Sequence, residues 1–171
     1  GDLYSVARDS GNVRRLTREA RAADPDVSPD GSTIVCTIQE ADRRSLATLP
    51  FRTAGATPAV VISEPGTHFA SPRWSPDGRL IAAERRDTGE RTTIVIVDPS
   101  TRGVVQTIAA SDSIRNVTPS WTPDGKCILF AAEGVDGPFH LYRADLGSAR
   151  VRRLANGGAG AQFPVLSPDG R

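Results

Sequence analysis

Few residues of this 171-residue chain have types and spacings that could do chemistry, and each of those also has a plainer structural reading. A serine nucleophile of the hydrolase kind needs Gly-x-Ser-x-Gly on a strand-to-helix elbow, supported by an acid and a histidine. That pattern does not occur, and the two histidines, His68 and His140, stand apart from any such set. Asp26-Val27-Ser28-Pro29-Asp30-Gly31 imitates the opening of a calcium loop, with oxygen ligands at alternate positions before a glycine. Its twelfth position is Thr37 where a glutamate would be needed, and the matching second segment begins with Arg73, so a turn is expected and a metal site is not. Asn156 to Ala161 is rich in glycine, yet no helix N-terminus follows to cradle a phosphate. Trp74 and Trp121 would suit a stacking platform, but each lies two residues after a recurring proline, where a core side chain is expected. Cys36 and Cys127 fall at unequal places in apolar stretches and are expected to be buried free thiols. No catalytic residue, cofactor site or metal site is therefore expected.

Charge narrows the partners. The 21 basic residues, of which Lys126 is the single lysine, are scattered among 20 acids, for a net charge of +1. Nucleic acid and anionic membranes call for a clustered basic patch, so neither is expected as a partner. The longest apolar runs, such as Ala59–Ile62 and Thr93–Val97, are strand-sized, far short of the roughly 20 residues of a membrane-spanning helix; no membrane insertion is expected.

The positioning elements declare themselves through a repeat. Four segments align without gaps: Pro25 to Gly31, Pro72 to Gly78, Pro119 to Gly125 and Pro164 to Gly170, each reading Pro-x-Φ-Ser/Thr-Pro-Asp-Gly. The closing glycines are 47, 47 and 45 residues apart. Ser/Thr-Pro-Asp-Gly spells a tight turn: a hydroxyl residue at the first corner, proline presetting φ at the second, glycine closing at the fourth. Asp30, Gly31, Asp77, Gly78, Asp124, Gly125, Asp169 and Gly170 are expected to hold turn geometry and to touch no ligand. Each turn should join two antiparallel strands. The leading proline is placed at the start of a short first strand, where its missing N–H does no harm, and the residue two later (Val27, Trp74, Trp121, Leu166) is expected in the core.

After each turn come three more predicted strands per repeat. These are Thr33–Ile38, Ser45–Leu49 and Ala59–Ile62; Leu80–Glu84, Thr93–Asp98 and Val104–Ile108; Cys127–Ala132, His140–Asp145 and Val151–Leu154. Four short strands in about 45 residues make one propeller blade. No segment holds a 3.6-residue apolar period, so helix should be nearly absent. Leu3–Ala7 and Asn12–Thr17 read as the last two strands of a further blade. Closing a four-bladed ring would leave 32 residues for a repeat of 45 to 47, about one strand too few. The expected fold is all-β: an arc of about three complete four-stranded blades with partial blades at both ends, part of a larger, six-bladed ring. The expected divisions are 1–22, 23–69, 70–116, 117–161 and 162–171.

Pro-x-Trp-Ser-Pro-Asp-Gly, an apolar strand, a polar bend, a strand such as Leu141-Tyr142-Arg143-Ala144-Asp145 and a closing Arg-Arg-Leu together resemble the WD40-like propeller repeats of the TolB family, over the whole chain. Val27 and Leu166 depart from the usual tryptophan, and Thr53 to Pro58 lengthens the outer half of the first repeat. The resemblance implies a non-enzymatic module that binds a protein or peptide partner in a bacterial periplasmic or extracytoplasmic setting, beside the remaining blades of its propeller. The alternative it implies is the substrate-gating propeller of a prolyl-oligopeptidase-like or dipeptidyl-peptidase-like serine hydrolase whose catalytic domain lies outside this chain. A partner should meet the end opposite the Pro-Asp-Gly turns, where the inter-blade connections and second-to-third-strand bends gather. The candidates there are His68, Phe69, Arg115, Asn116, Gln162 and Phe163, with Arg86 and Asp136 further out.

Overall fold

A computed structural model describes residues 1–134, 137–154 and 160–167. Fourteen strands and no helix are present among them. β1 (Tyr4–Val6) and β2 (Val13–Arg15) form a separate hairpin. The first full blade is β3 (Ala22–Val27), β4 (Thr33–Gln39), β5 (Arg44–Pro50) and β6 (Ala59–Ile62), each antiparallel to the next. β7 (His68–Trp74), β8 (Ile81–Arg86), β9 (Thr92–Asp98) and β10 (Gly103–Ile108) make the second. β11 (Arg115–Trp121), β12 (Cys127–Glu133), β13 (Phe139–Asp145) and β14 (Val151–Arg153) make the third. Neighbouring blades touch through single parallel bridges, Arg44 with His68 and Thr92 with Arg115. The sheet is an open arc among the described residues, a β-propeller that does not close on itself.

Side chains alternate between the two faces of a strand, and where a blade is stacked on both sides both faces are covered, so β9 is buried and apolar on each. In β9, Val95 and Val97 face the first blade with Phe69, Ile81, Leu46 and Val35. Ile94 and Ile96 face the third with Ile128, Phe130 and Trp121. Leu3 and Leu16 from the hairpin close over Ile34, Cys36, Ala47 and Leu49. Both cysteines are free and buried, and burial pushes the Cys36 thiol up to about 12.

The repeated turns share one hydrogen-bond pattern. Gly31, Gly78 and Gly125 donate their N–H to the carbonyls of Ser28, Ser75 and Thr122, each at 2.8 Å. The hydroxyls of those three residues donate to Asp30, Asp77 and Asp124 at 2.6 Å. The same carboxylates accept the amides of Ser32, Arg79 and Lys126. The hydroxyls accept the amides of Thr33, Leu80 and Cys127. These donors stabilise the ionised carboxyl: the Ser28 hydroxyl foremost, then Ser32, holds Asp30 down at about 2, and Ser75 and Thr122 lower Asp77 and Asp124 in the same way. Asp169 and Gly170 lie outside the described residues.

Gly78 has φ +70°, and a Cβ there would sit 3.6 Å from Pro29 Cδ in the neighbouring blade's turn. Gly78→Val is therefore expected to cost about 1–2 kcal/mol, because a left-handed backbone presses an L side chain against the following carbonyl. Thermal melts of the variant and parent check this, and superimposable curves would show that the turn relaxes freely around the added side chain.

Two details differ from the sequence-based expectation. The leading prolines do not start the first strands: Pro25, Pro72 and Pro119 sit inside β3, β7 and β11, each at a one-residue bulge in the pairing with the second strand. The residue before each proline, Asp24, Ser71 and Thr118, takes a positive φ of 50°, 49° and 54°, and so does Phe163 before Pro164, at 57°. A bulge removes one residue from the ladder, which is where a proline without an N–H does least damage. The first strands consequently begin at Ala22, His68 and Arg115, slightly ahead of the divisions at 23, 70 and 117. The second difference concerns the core positions. Trp121 is buried and its indole N–H donates to the Arg73 carbonyl at 3.0 Å, and Trp74 is half-buried against the first two blades' core. Val27 is 43% exposed, because the short β1–β2 hairpin places Leu3 and Leu16 on β4 and β5 and leaves the end of β3 uncovered.

Candidate functional site

At the end of the arc opposite the turns, a groove of about 520 Å³ crosses all three blades. Its floor is made of the buried residues Phe69, Thr92 and Val117. Its walls carry Arg44, His68, Arg86, Arg115, Glu84 and Glu90. The sheet register explains why these side chains meet. Arg44 opens β5 and bridges to His68, His68 pairs with Arg86 at the end of β8, Arg86 pairs with Thr92, and Thr92 bridges to Arg115. One unbroken row of paired residues thus runs over five adjacent strands, and three of its five members are arginine.

The arginines differ in what holds them. Arg44 donates through Nε to Gln39 Oε1 at 3.3 Å and lies 3.7 Å from Asp24 Oδ2. Arg115 lies 3.4 Å from Glu133 Oε2 and stacks its guanidinium over the Phe139 ring at 5.3 Å. Arg86 is exposed and has no side-chain partner among the described residues. Of the two acids, Glu84 is occupied, since its Oε1 accepts the Thr118 amide that the β11 bulge releases, at 2.9 Å. Glu90 is exposed at the tip of the β8–β9 bend.

The sequence-derived candidates separate on burial. His68 is half-buried in the groove wall and Arg115 is exposed there. Phe69 is fully buried in the core between the first and second blades. Asn116 is 1% exposed; its Oδ1 accepts the Ala110 amide at 2.9 Å and its Nδ2 donates to the Thr92 carbonyl at 2.9 Å. Both side chains point inward from the residue after an exposed groove-wall one, as strand alternation requires, and Phe69 meets the groove only as its closed floor. Gln162 and Phe163 are exposed but do not line the groove. Phe163 lies instead beside the bulges of the first strands, its amide 3.3 Å from Thr118 Oγ1. Asp136 is outside the described residues. Arg44 escaped sequence reasoning altogether. The signal that could have found it is positional: it opens a third strand, as Thr92 and Phe139 do, and that place meets the next blade's first strand.

The sequence model of the TolB beta propeller domain matches residues 49–171. The chain belongs to the TolB β-propeller family. Among curated proteins, none matches it in sequence. Among solved structures, a TolB-type protein of Agrobacterium tumefaciens superposes with a TM-score of 0.84 at 23% identity, over 99% of this chain and 60% of its own. TolB of Acinetobacter baumannii gives 0.79 at 19% identity, over 99% of this chain and 41% of its own. An oligogalacturonate lyase of Vibrio parahaemolyticus gives 0.69 at 16% identity, over 99% and 46%. At these identities the likeness establishes the fold. The TolB-family chain spans about 60% of the length of the first of these proteins and less of the other two. No helix among the described residues is long and apolar enough to cross a membrane.

Proposed function

We propose that the chain is a non-enzymatic interaction platform, a propeller segment that grips a protein or peptide partner across the ends of its blades in an extracytoplasmic compartment. The observation that carries this reading is the row Arg44–His68–Arg86–Thr92–Arg115, an open groove whose walls come from three blades locked together by apolar cores. Rigid blades hold such side chains at fixed spacing, so a partner pays little to order them. The groove's composition fits binding: it brings together three cations, one histidine and two acids around a mostly apolar floor. Membership of the TolB family supports the extracytoplasmic setting.

The test is selection of random dodecapeptides displayed on phage against the protein, followed by affinity measurements with His68→Ala and Arg115→Ala together. Selected peptides are expected to lose about tenfold or more in affinity. Unchanged affinity in the double variant would remove the groove from the reading. The alternative, a gating propeller for a serine hydrolase, predicts a Gly-x-Ser-x-Gly elbow in the reading frame beyond Arg171, and sequencing that frame decides it.

A further inference from the structure

We infer that the groove takes an acidic peptide segment, whose carboxylates Arg86, Arg44 and Arg115 receive in turn; this rests on the platform reading above. Arg86 is the centre of the row. An exposed guanidinium with five donors and no side-chain partner among the described residues stands there, with His68 as its register partner on one side and Thr92 on the other. The flanking arginines are held loosely. Their carboxylate contacts, at 3.7 and 3.4 Å, are well beyond the roughly 2.7–2.9 Å of a close charge-assisted hydrogen bond. An incoming carboxylate can therefore take over each guanidinium at small cost. Glu84 does not oppose this strongly, because the Thr118 amide already engages its carboxylate. Glu90 is exposed, so solvent screens it.

Spacing favours a chain over a small anion. Neighbouring strands are about 4.8 Å apart, so Arg44 and Arg115 each lie two strand steps, at most about 10 Å, from Arg86. The outer two arginines are four strand steps, up to about 19 Å, apart along the row, a span that suits a chain better than one small anion. An extended peptide advances about 3.3 Å per residue, and acidic residues at every second or third position recur at about 7–10 Å. Half-buried Ala70, in the groove lining, gives the intervening small residues an apolar bed. His68 adds a fourth hydrogen-bonding group between Arg44 and Arg86.

The experiment uses a fluorescent dodecapeptide, Ser-Gly-Glu repeated four times, with the corresponding Ser-Gly-Gln peptide and a uronate oligosaccharide of matched charge as controls. Binding is read by anisotropy at about 0.01 M and about 0.15 M salt, where the screening length falls from about 30 Å to about 8 Å. The glutamate peptide is expected to bind at low salt and more weakly at the higher, and the glutamine peptide not to bind. Arg86→Gln should weaken binding about tenfold and Arg86→Glu further, while Arg86→Lys retains part of it. Arg79→Glu makes the same charge change at the turn end, and should leave affinity within about twofold. Coincident melts of these surface variants establish that each is folded. No binding of the glutamate peptide at low salt, equal losses in Arg86→Glu and Arg79→Glu, or groove-dependent binding of the oligosaccharide without the peptide would each overturn the proposal. Phage-selected peptides that lack acids yet still depend on His68 and Arg115 would overturn it too, while leaving the platform standing. Failure to select any peptide would instead remove the platform.

Discussion

Phe69→Ala is expected to lower stability by about 3–5 kcal/mol, which for a chain of this size is a fall in melting temperature on the order of 10 °C. Phe69 is fully buried where the first and second blades meet, among Val35, Leu46, Ile81, Ala83 and Val95. Truncation removes a whole ring from a contact whose walls belong to two separate sheets. Among the described residues, backbone-to-backbone bonding between those blades is confined to the single bridge of Arg44 with His68, beside the bond from the Trp74 amide to Asp26 Oδ2 at 2.8 Å. Packing, more than hydrogen bonding, must therefore hold the two blades together, and little else can fill the space. Denaturant unfolding checks the magnitude: the midpoint should move with the slope unchanged if the arc still unfolds as one unit. A lowered slope would indicate that the first blade has uncoupled from the second. A midpoint that stays put would show that the blades are joined by something other than this core. Because Arg44 lies on one side of the interface and Arg86 on the other, loosening it is also expected to blunt any ligand affinity the groove has.

The blades were legible in the sequence because their punctuation is local. Ser-Pro-Asp-Gly can fold tightly using only its own hydroxyl, carboxylate and amides, and the observed bonds among Ser75, Asp77, Gly78 and Leu80 stay within six residues. β9 and β12 were equally plain, since both their faces are buried and their apolar runs are continuous. The first strands were not, because His68-Phe69-Ala70-Ser71-Pro72-Arg73-Trp74 mixes polar, small and aromatic residues around a proline. What makes it a strand is nonlocal: pairing with β8 on both sides of a bulge that parks the proline. The groove was harder still. Loop placement can indicate which end of a propeller a residue occupies, but along the start of a first strand successive side chains alternate between open groove and closed core. His68 and Arg115 fall on one side of that alternation, Phe69 and Asn116 on the other, and a single register step decides between them. Arg44 could be found only from the bridge between blades, which leaves no mark in sequence.

The same register step makes Asn116 the second site of large effect. Phe69 pairs with Arg85 and Asn116 with Ala132, the matching residues of two second strands, so Asn116 fills in the third blade the place that Phe69 fills in the second. One blade solves this position with an apolar ring and the next with a buried amide. The amide is tolerable because it is fully engaged: Oδ1 accepts the Ala110 amide and lies 3.0 Å from the Ser113 hydroxyl, and Nδ2 donates to Thr92 O. These bonds tie the β10–β11 connection to the first residue of β9, and so fix the ground on which Arg115 stands. Asn116→Ala leaves the Ala110 amide buried without its acceptor and strips the side-chain bond from the Thr92 carbonyl, which keeps only its backbone bridge to β11, and is expected to cost about 1–3 kcal/mol. Asn116→Asp should rescue little, since it restores the acceptor for Ala110 but sets a carboxylate oxygen against the Thr92 carbonyl. Asn116→Phe should not rescue either, because the ring that suits the second blade offers no acceptor to Ala110. Hydrogen exchange separates this account from simple loss of packing. In Asn116→Ala the Ala110 amide should exchange faster than global unfolding alone allows, while the amides of β4 change only with overall stability. Uniform loss of protection along the whole arc would mean that the amide acts as filler, and that the connection to β11 is held elsewhere.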